Sequence, residues 1–380
     1  MYTIYINDRV LYSPLLCNEG YIIFSPALKL SLNKAGSFSF TIPTSNPEYG
    51  NIQKLKTVIK VYSDSEMIFE GRVLHDEANY YLMKQVYCEG ELSYLLDSIV
   101  RPYSYTGSIE KLFTKLIDEH NNQVDSEKKF SVGNITVKAK ASTGNITRST
   151  SLYPNTFDEL TEKFPNSMLG GYLKIRHENG NRYLDYLEES GPISSQNIEF
   201  GNNLLDFSEY VSADEVFTVL IPLGEKNENE EYLTIKEVNN GKDYIEDKTG
   251  VELFGRICKK VEWSETKTAD TLLKNAKEYL ESGVQMAITL TVNALDLHLL
   301  NVDTESIHIG DMVNVISEPH GQDSLFQCTS ITLDLSEPNS SEYTFGYAYS
   351  SLTDRIQSDI TTKQSGASTT ENTGTYIYWT

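Results

Sequence analysis

Short runs of alternating apolar and polar residues dominate the chain. Near the start they are YTIYI (2–6), FSFTI (38–42) and TVIKVY (57–62), which are rich in β-branched and aromatic side chains. Similar runs return at 197–221 and again through 285–349. Because side chains alternate between the two faces of a strand, this pattern predicts β-strands over most of the sequence.

Two longer stretches instead repeat their apolar residues at helical spacing. The apolar face of the first is formed by Ile109, Leu112, Phe113, Leu116 and Ile117. Ser108 stands where an N-cap is needed, so the pattern predicts a helix beginning there. The second predicted helix covers 268–282, and Gly283 follows it at the position of a C-cap glycine.

Local signals predict three further features. Thr156 and Glu159 have the spacing of a capping box, and Pro165 ends the short helix that they begin. Asn179–Gly180 lies between two alternating segments and predicts a hairpin over 170–187. In NLLDFSEYVSADEVFTVLIPLGE (203–225), two apolar runs flank SADE, which predicts another hairpin with a solvated turn.

Together these elements predict an α+β fold that is mainly β, with two barrel-like β domains and smaller α/β insertions. The predicted domains are 1–103 (first β-barrel-like domain), 104–196 (small α+β domain), 197–225 with 289–352 (second β-barrel-like domain), 226–288 (inserted α/β unit containing helix 268–282) and 353–380 (flexible C-terminal linker or tail).

A weak internal repeat relates 58–96 to 312–352. Each segment has a β-branched strand, then a phenylalanine, an acid and a glycine at similar spacing. The matched positions are Phe69 with Phe326, Asp76 with Asp334, and Gly90 with Gly346. Two interpretations stay open: chance similarity between two β-meanders, or duplication of a barrel-like domain.

Charge and cysteine usage narrow the possible classes of protein. The chain has 54 Asp and Glu against 32 Lys and Arg, a net charge of -22. Because nucleic-acid affinity depends on Lys and Arg at phosphates, this charge argues against a general nucleic-acid-binding protein. The four cysteines are far apart and form no CxxC pair, so we expect reduced core thiols in a protein made in a reducing cytoplasm. We expect no signal peptide and no membrane span.

The acids in 203–225 are the first candidates for catalysis. They are Asp206, Glu209, Asp214, Glu215 and Glu225. Paired acids beside an apolar strand suit acid–base chemistry, but catalytic acids need environments that separate their pKa values. These acids fall at turns and strand ends. Such positions are exposed to solvent and do not provide different environments for two acids, so we interpret the acids as structural.

A metal site is conceivable around His298 and His308. Acids lie near both histidines in the sequence, namely Asp296, Asp303, Glu305 and Asp311. Alternation of polar residues along strands explains the same pattern. No HExxH, GxSxG, P-loop or GxGxxG sequence occurs. We therefore predict no catalytic, cofactor-binding or metal-binding residues and no cofactor.

An ordered series of segments resembles a known family. It consists of IEFGNNLLDF, FTVLIPLGE, LTIKEVNNGKDYIED, VEWSETKTADTLLKNAKEYL and ITLTVNALDL, followed by IHIGDMVNV, FQCTSITLDL and YTFGY. The series resembles the prophage tail protein family, also called the prophage endopeptidase tail family. Members of that family are the N-terminal regions of tail-associated proteins in phages of Gram-positive bacteria that have long, non-contractile tails. The resemblance covers roughly 1–352 and is strongest in 198–350.

The resemblance implies a structural role similar to that of phage baseplate hubs. Such hubs are homotrimers in which each subunit gives two barrel-like domains to a pseudo-six-fold ring. The ring would adapt the six-fold tail tube to a three-fold tip in the virion. Its expected partners are neighbouring distal tail and tube proteins, and DNA would pass through its channel without specific binding.

Two other functions remain as alternatives. The family name and the acids at 206–225 suggest a cell-wall endopeptidase or hydrolase. However, lytic activity in such proteins generally belongs to domains after the hub region, so we expect no enzyme activity here. The 25 tyrosines suggest a host-surface carbohydrate-binding module, because aromatic faces stack on sugars.

Overall fold

The computed structural model describes residues 1–139, 144–167, 169–214, 216–227, 229–263, 266–283, 287–300, 305–337 and 340–347. The predicted tail at 353–380 lies outside the described residues.

The described strands and helices fall in the following order. The strands before residue 110 are β1 (Tyr2–Ile6), β2 (Arg9–Tyr12), β3 (Phe24–Ser31), β4 (Ser37–Ile42), β5 (Val58–Ser63), β6 (Glu66–Ala78), β7 (Lys84–Gly90) and β8 (Tyr103–Gly107). Those that follow are β9 (Ser131–Ile135), β10 (Ile146–Thr150), β11 (Tyr172–Glu178), β12 (Asn181–Leu187), β13 (Ile198–Glu199), β14 (Leu204–Ser212), β15 (Val219–Leu223), β16 (Ile245–Glu246), β17 (Cys258–Glu262), β18 (Ala287–Ala294), β19 (Met312–Ser317), β20 (Gln322–Asp334) and β21 (Glu342–Tyr347). The α-helices are α1 (Ile109–Asn121), α2 (Thr156–Lys163), α3 (Lys248–Phe254) and α4 (Ala269–Gly283). Short 3₁₀ helices occupy Pro14–Glu19, Glu91–Asp97, Ser126–Lys128, Leu297–Leu300 and Glu318–His320.

The chain divides into two compact units. Unit 1 comprises Met1–Glu209 and Leu290–Gly346, and unit 2 comprises Tyr210–Thr289 with Tyr347 among the described residues. The chain leaves unit 1 within β14 and returns within β18. Unit 1 thus contains strands from both predicted β regions together with 104–196, and the finer division into domains stays a prediction.

A large sheet of thirteen strands organises unit 1. Its order is β14-β18-β21-β20-β3-β4-β7-β6-β5-β1-β2, with β13 and β19 joined at β20. It curls into a half-barrel, which confirms that the fold is mainly β. The N-terminal half packs its inward-facing alternate residues into a core that includes Ile4, Ile6, Phe38, Phe40, Ile59 and Val61. The strands of the two predicted barrel-like regions are continuous in this sheet, because β3 pairs with β20.

The repeated segments both fold as three successive strands. In the first, β5, β6 and β7 have 6, 13 and 7 residues, and in the second, β19, β20 and β21 have 6, 13 and 6. Phe69 lies opposite Val61, and Phe326 lies opposite Val313. Both phenylalanines are buried. The sequence repeat therefore corresponds to two matched strand triplets in one sheet.

Helices α1 and α2 pack beside the small sheet β11-β12-β9 in unit 1. The predicted first helix is confirmed: Ser108 Oγ accepts a hydrogen bond from the Lys111 amide at 3.4 Å. The N-cap of α2 lies one residue before the predicted Thr156, since Asn155 caps the helix and accepts from the Asp158 amide at 2.8 Å. Asparagine is among the best N-cap residues because its short side chain reaches this amide.

The predicted hairpin at 170–187 is also confirmed. Strands β11 and β12 pair from Tyr172↔Leu187 to Glu178↔Asn181. Asn179 and Gly180 both have positive φ, 51° and 76°, as the two-residue turn of this type requires.

Unit 2 is a three-stranded sheet in which β15 pairs antiparallel with β16 and parallel with β17. The predicted helix at 268–282 is present as α4. The hairpin predicted over 203–225 is wrong, because β14 pairs with β18 in the large sheet whereas β15 pairs with β16 and β17. Both segments are strands, but each finds its partners far away in the sequence.

The core of unit 2 generates the first prediction. Leu220 is fully buried against Phe217, Ala276 and Leu280. We expect Leu220→Asp to destabilise unit 2 by at least about 3 kcal/mol, because it combines lost apolar contact with an unpaired buried charge. Thermal denaturation and proteolysis within 210–289 measure the effect. Leu253→Asp is the matched control, since Leu253 is 43% exposed in the same unit. Equal stability of the two variants would contradict the assignment of this core.

Candidate functional site

The described acids of the 203–225 segment do not form a site. Asp206, Glu209, Asp214 and Glu225 are all exposed, and Glu215 lies outside the described residues. Asp206 accepts a hydrogen bond from the next backbone amide at 2.9 Å, as a solvated acid in an exposed strand does. These exposed positions agree with the interpretation of the acids as structural residues and not catalytic ones.

The two candidate histidines face different carboxylates in unit 1. His308 Nε2 lies 3.1 Å from Glu66 and its Nδ1 lies 3.5 Å from Asp311, whereas His298 Nε2 lies 3.9 Å from Asp64. Asp296 accepts hydrogen bonds from Gln196 and the His298 amide. Asp303 lies outside the described residues, and Glu305 contributes its backbone oxygen to Gln196. Among the described residues, the two histidines therefore contact separate carboxylates, and Asp296 and Glu305 serve as hydrogen-bond acceptors.

One cluster of acid, base and cation lies elsewhere in unit 1 and was missed by sequence reasoning. Glu70, Glu91 and His177 have potential ligand atoms within 4.8 Å of one another. Among the described residues they are the one such group. With Arg182 they form what we call the Glu70–Arg182 cluster. It borders a groove of about 930 Å³ that Lys60 and Lys128 also line.

Close backbone approach brings the two glutamates together. Glu70 precedes Gly71 in β6, Glu91 follows Gly90 at the end of β7, and Gly71 pairs directly with Gly90. A Cβ at Gly71 would lie 2.3 Å from the Glu89 oxygen, and one at Gly90 would lie 1.9 Å from the Ala35 oxygen. Only glycine fits at either position, so the sequence EG at 70–71 and GE at 90–91 is the signal that could have located the pair.

The basic residues of the cluster come from the β11–β12 hairpin. His177 and Arg182 are directly opposite each other on either side of the Asn179–Gly180 turn, so both side chains project from one face. Arg182 Nη2 donates to Glu70 at 2.8 Å, and its Nε donates to Glu91. His177 Nε2 lies 2.7 Å from the other oxygen of Glu91.

Aromatic rings and further hydrogen bonds surround the guanidinium of Arg182. It lies 4.9 Å from the centre of the Tyr94 ring and 5.5 Å from that of Phe130. Its Nη1 donates to the Glu127 backbone oxygen at 2.7 Å. Arg72 contacts the Tyr94 ring as well, at 5.3 Å. Tyr94 therefore packs against two arginines, whose positive charges are attracted to the electron-rich face of its ring.

Burial and neighbouring charges shift the protonation equilibria in the cluster. Burial raises the pKa of the Glu70 carboxyl, and the nearby Glu91 charge adds to that effect. The hydrogen bond to Glu91 raises the pKa of His177. Arg182 already occupies both carboxylates, so a metal ion would have to displace a guanidinium. The arrangement is best explained as a set of ion pairs that holds the β11–β12 hairpin against β6 and β7.

Comparison with solved structures shows that the chain has the fold of known tail proteins. The tail protein from Neisseria meningitidis MC58 is 14% identical, with a TM-score of 0.62, and the match covers 91% of this chain and 97% of that chain. The 43 kDa tail protein of prophage MuSo2 from Shewanella oneidensis is 14% identical, with a TM-score of 0.58 and the same coverage. Prophage tail protein gp18 from Listeria monocytogenes EGD-e is 15% identical, with a TM-score of 0.54, covering 90% of this chain and 93% of that chain.

A family comparison adds sequence evidence. Residues 192–356 match the family described as prophage endopeptidase tail, so the resemblance to prophage tail proteins is confirmed. No curated protein matches the sequence. Within the described residues, no helix is long and apolar enough to cross a membrane.

The Glu70–Arg182 cluster generates the second prediction. Glu91→Gln should destabilise unit 1 by about 3 kcal/mol, because it leaves Arg182 and His177 without their shared buried carboxylate. It should also lower the pKa of His177, since the hydrogen bond to Glu91 raises it. Chemical denaturation and a histidine NMR titration measure the two effects. Glu178→Gln is the control, because Glu178 is 57% exposed at its ion pair with Arg176. A variant as stable as this control, with the His177 pKa unchanged, would refute the assignment.

His308 generates the third prediction, which concerns pH. Hydrogen bonding to Asp311, followed by the charge of Glu66, raises the pKa of His308 to about 9. Its ordinary value is about 6.5, so its contribution to stability is full below about pH 6.5 and is lost as the pH rises through about 9. Because the side chain is 41% exposed, we expect His308→Gln to cost about 0.5–1 kcal/mol at pH 6.

Denaturation of wild type and His308→Gln at pH 6 and pH 9.5 tests this dependence. The difference between the two proteins should shrink at the higher pH. Glu66→Gln should reproduce part of the loss at pH 6. A difference that stays constant or grows with pH would show that His308 does not act through its charge.

Proposed function

We propose that this chain is a structural hub protein of a phage tail tip. Three copies would form a ring that closes the tail tube and adapts its six-fold symmetry to a three-fold tip. The ring would surround the DNA channel. Prophage tail proteins are components of the virion, which supports assembly with neighbouring tail proteins and a position in the phage tail.

The paired strand triplets are the observation that carries this proposal. A three-fold ring can meet a six-fold tube when each subunit presents two equivalent elements. Strands β5, β6 and β7 form one such element, and strands β19, β20 and β21 form the other. They have nearly identical strand lengths and belong to one sheet, joined through β3 and β4. Three chains would therefore supply six similar triplets.

The net charge supports a channel that lets DNA pass. A chain with a net charge of -22 repels the phosphates of DNA, so DNA would slide through the channel without being retained. The charge has the opposite sign from that of proteins that hold DNA through counterion release. A structural channel therefore fits the composition better than a nucleic-acid-binding site does.

We further propose that the chain has no enzyme activity, despite the word endopeptidase in the family description. The described acids of 203–225 are exposed, and the carboxylates of the Glu70–Arg182 cluster are bound by Arg182 and His177. Neither arrangement offers a free acid and base facing a substrate.

The fourth prediction tests the ring and the absence of activity with one preparation. Light scattering of the purified chain should give the mass of three subunits, and electron microscopy should show a three-fold ring. The same preparation should not release fragments from purified peptidoglycan. A monomer at high concentration with no ring would refute the hub, and peptidoglycan turnover that copurifies with the protein would refute the second proposal.

A further inference from the structure

The tip of the β6–β7 hairpin presents large apolar side chains to solvent. Tyr80 is 92% exposed, Tyr81 is 81% exposed and Leu82 is 61% exposed. They follow one another in the segment NYYLM (79–83), which has no charged residue. Single exposed apolar residues are common on proteins, but three in succession at a projecting turn are typical of a contact site.

Hydrogen bonds hold this tip in one conformation. The side-chain oxygen of Asn79 accepts from the amides of Tyr81 and Met83, at 2.9 and 3.1 Å. The Asn79 amide donates to the Met83 oxygen at 2.9 Å, which closes the turn. The rings of Tyr80 and Tyr81 meet edge to face, with their centres 5.5 Å apart. A tip that is already ordered loses little conformational freedom when it binds.

Leu82 has an unusual backbone conformation, which among the described leucines it shares only with Leu55. Its φ is +58°, in the left-handed region that favours glycine or asparagine. If the turn alone mattered, either of those residues would serve better. Instead, a leucine occupies the strained position and directs an apolar side chain into solvent. Backbone strain of this kind is concentrated where proteins bind or react.

We propose that this tip docks onto a second copy of the same chain. Two copies that each carry -22 repel each other, which favours association through uncharged surfaces. The segment 79–83 is uncharged, whereas its stem carries Asp76, Glu77 and Lys84, and Asp76 pairs with Lys54. An apolar tip therefore suits contact between identical acidic subunits. This inference rests on the proposed ring of identical copies.

The size of the tip indicates how much of the contact it supplies. A buried tyrosine covers about 150–250 Å², so the tip would contribute roughly half of the 800 Å² that each partner gives to a standard interface. Tyrosine is enriched among the residues that dominate binding energy. The tip should therefore be essential to assembly, although flanking surface completes the interface.

The fifth prediction compares a tip variant with a matched control. The variant Tyr80→Ser/Tyr81→Ser/Leu82→Asn removes the apolar surface, and asparagine still tolerates the positive φ at 82. The control, Leu152→Ser/Tyr153→Ser, removes side chains that are 71% and 66% exposed elsewhere in unit 1. Sedimentation over a concentration series should show association of the tip variant weakened by about 30-fold or more, with the control unchanged. Thermal denaturation of each monomer verifies folding.

A fluorescent variant reports on the tip directly. Tyr81→Trp should shift its emission to shorter wavelength as the protein assembles, because the indole becomes buried. Two results would overturn this inference and leave the ring intact: a tip variant that assembles as tightly as wild type, or a Tyr81→Trp oligomer whose added indole still emits as an exposed one. Wild-type protein that stays monomeric throughout the series would overturn both the ring and the tip contact.

Discussion

The pairing of β3 with β20 is the contact on which the large sheet depends. It places Ser31 opposite Ser330, and their hydroxyl groups are 2.9 Å apart although 299 residues separate them in the chain. The Ser330 hydroxyl also lies 2.9 Å from the Leu30 backbone oxygen. Without this pairing, the strands near the N-terminus and those after residue 290 would form separate sheets with additional open edges, which promote aggregation. The residues between β3 and β20 in the sequence must therefore fold in a way that leaves these two strands free to pair.

A second constraint attaches the β11–β12 hairpin to the sheet. The Glu70–Arg182 cluster is largely removed from water, and desolvating charges is costly unless each is paired. Here each carboxylate has a basic partner, and the guanidinium of Arg182 also packs on Tyr94 and Phe130. Such a network contributes more to selecting one orientation of the hairpin than to net stability, because a misplaced hairpin would leave buried charges unpaired. Glycine is needed beside each glutamate for a steric reason: a Cβ at 71 would collide with the Glu89 oxygen in β7, and one at 90 would collide with the Ala35 oxygen before β4.

Sequence patterns predicted the elements whose signals are local and missed those that depend on distant partners. Helix α1 and the β11–β12 hairpin were predicted because periodicity, a cap and a turn lie within about twenty residues. The segment 203–225 was correctly identified as strands, yet its pairing was wrong, since β15 pairs with a parallel strand that begins at Cys258. Alternation of apolar residues identifies a strand but does not show with which strand it pairs. The Glu70–Arg182 cluster was not predicted for the same reason, because its members come from three segments that are distant in the sequence. The glycines beside the two glutamates are the only local signal of the cluster.

The abundance of tyrosine has a structural explanation that bears on the carbohydrate-binding alternative. Tyr186 stacks on Phe113 and meets Phe164 edge to face in a core. Tyr343 is buried in the large sheet, and Tyr94 packs against arginines. Tyrosine suits these sites because its ring fills volume and its hydroxyl can still reach a polar partner. The exposed pair at 80–81 differs, but a sugar site also needs polar side chains around the ring to bind hydroxyl groups. At this tip the neighbours are Leu82 and Met83, and the Asn79 side chain is occupied within the turn. The chemistry of the tip therefore favours a protein surface over a carbohydrate.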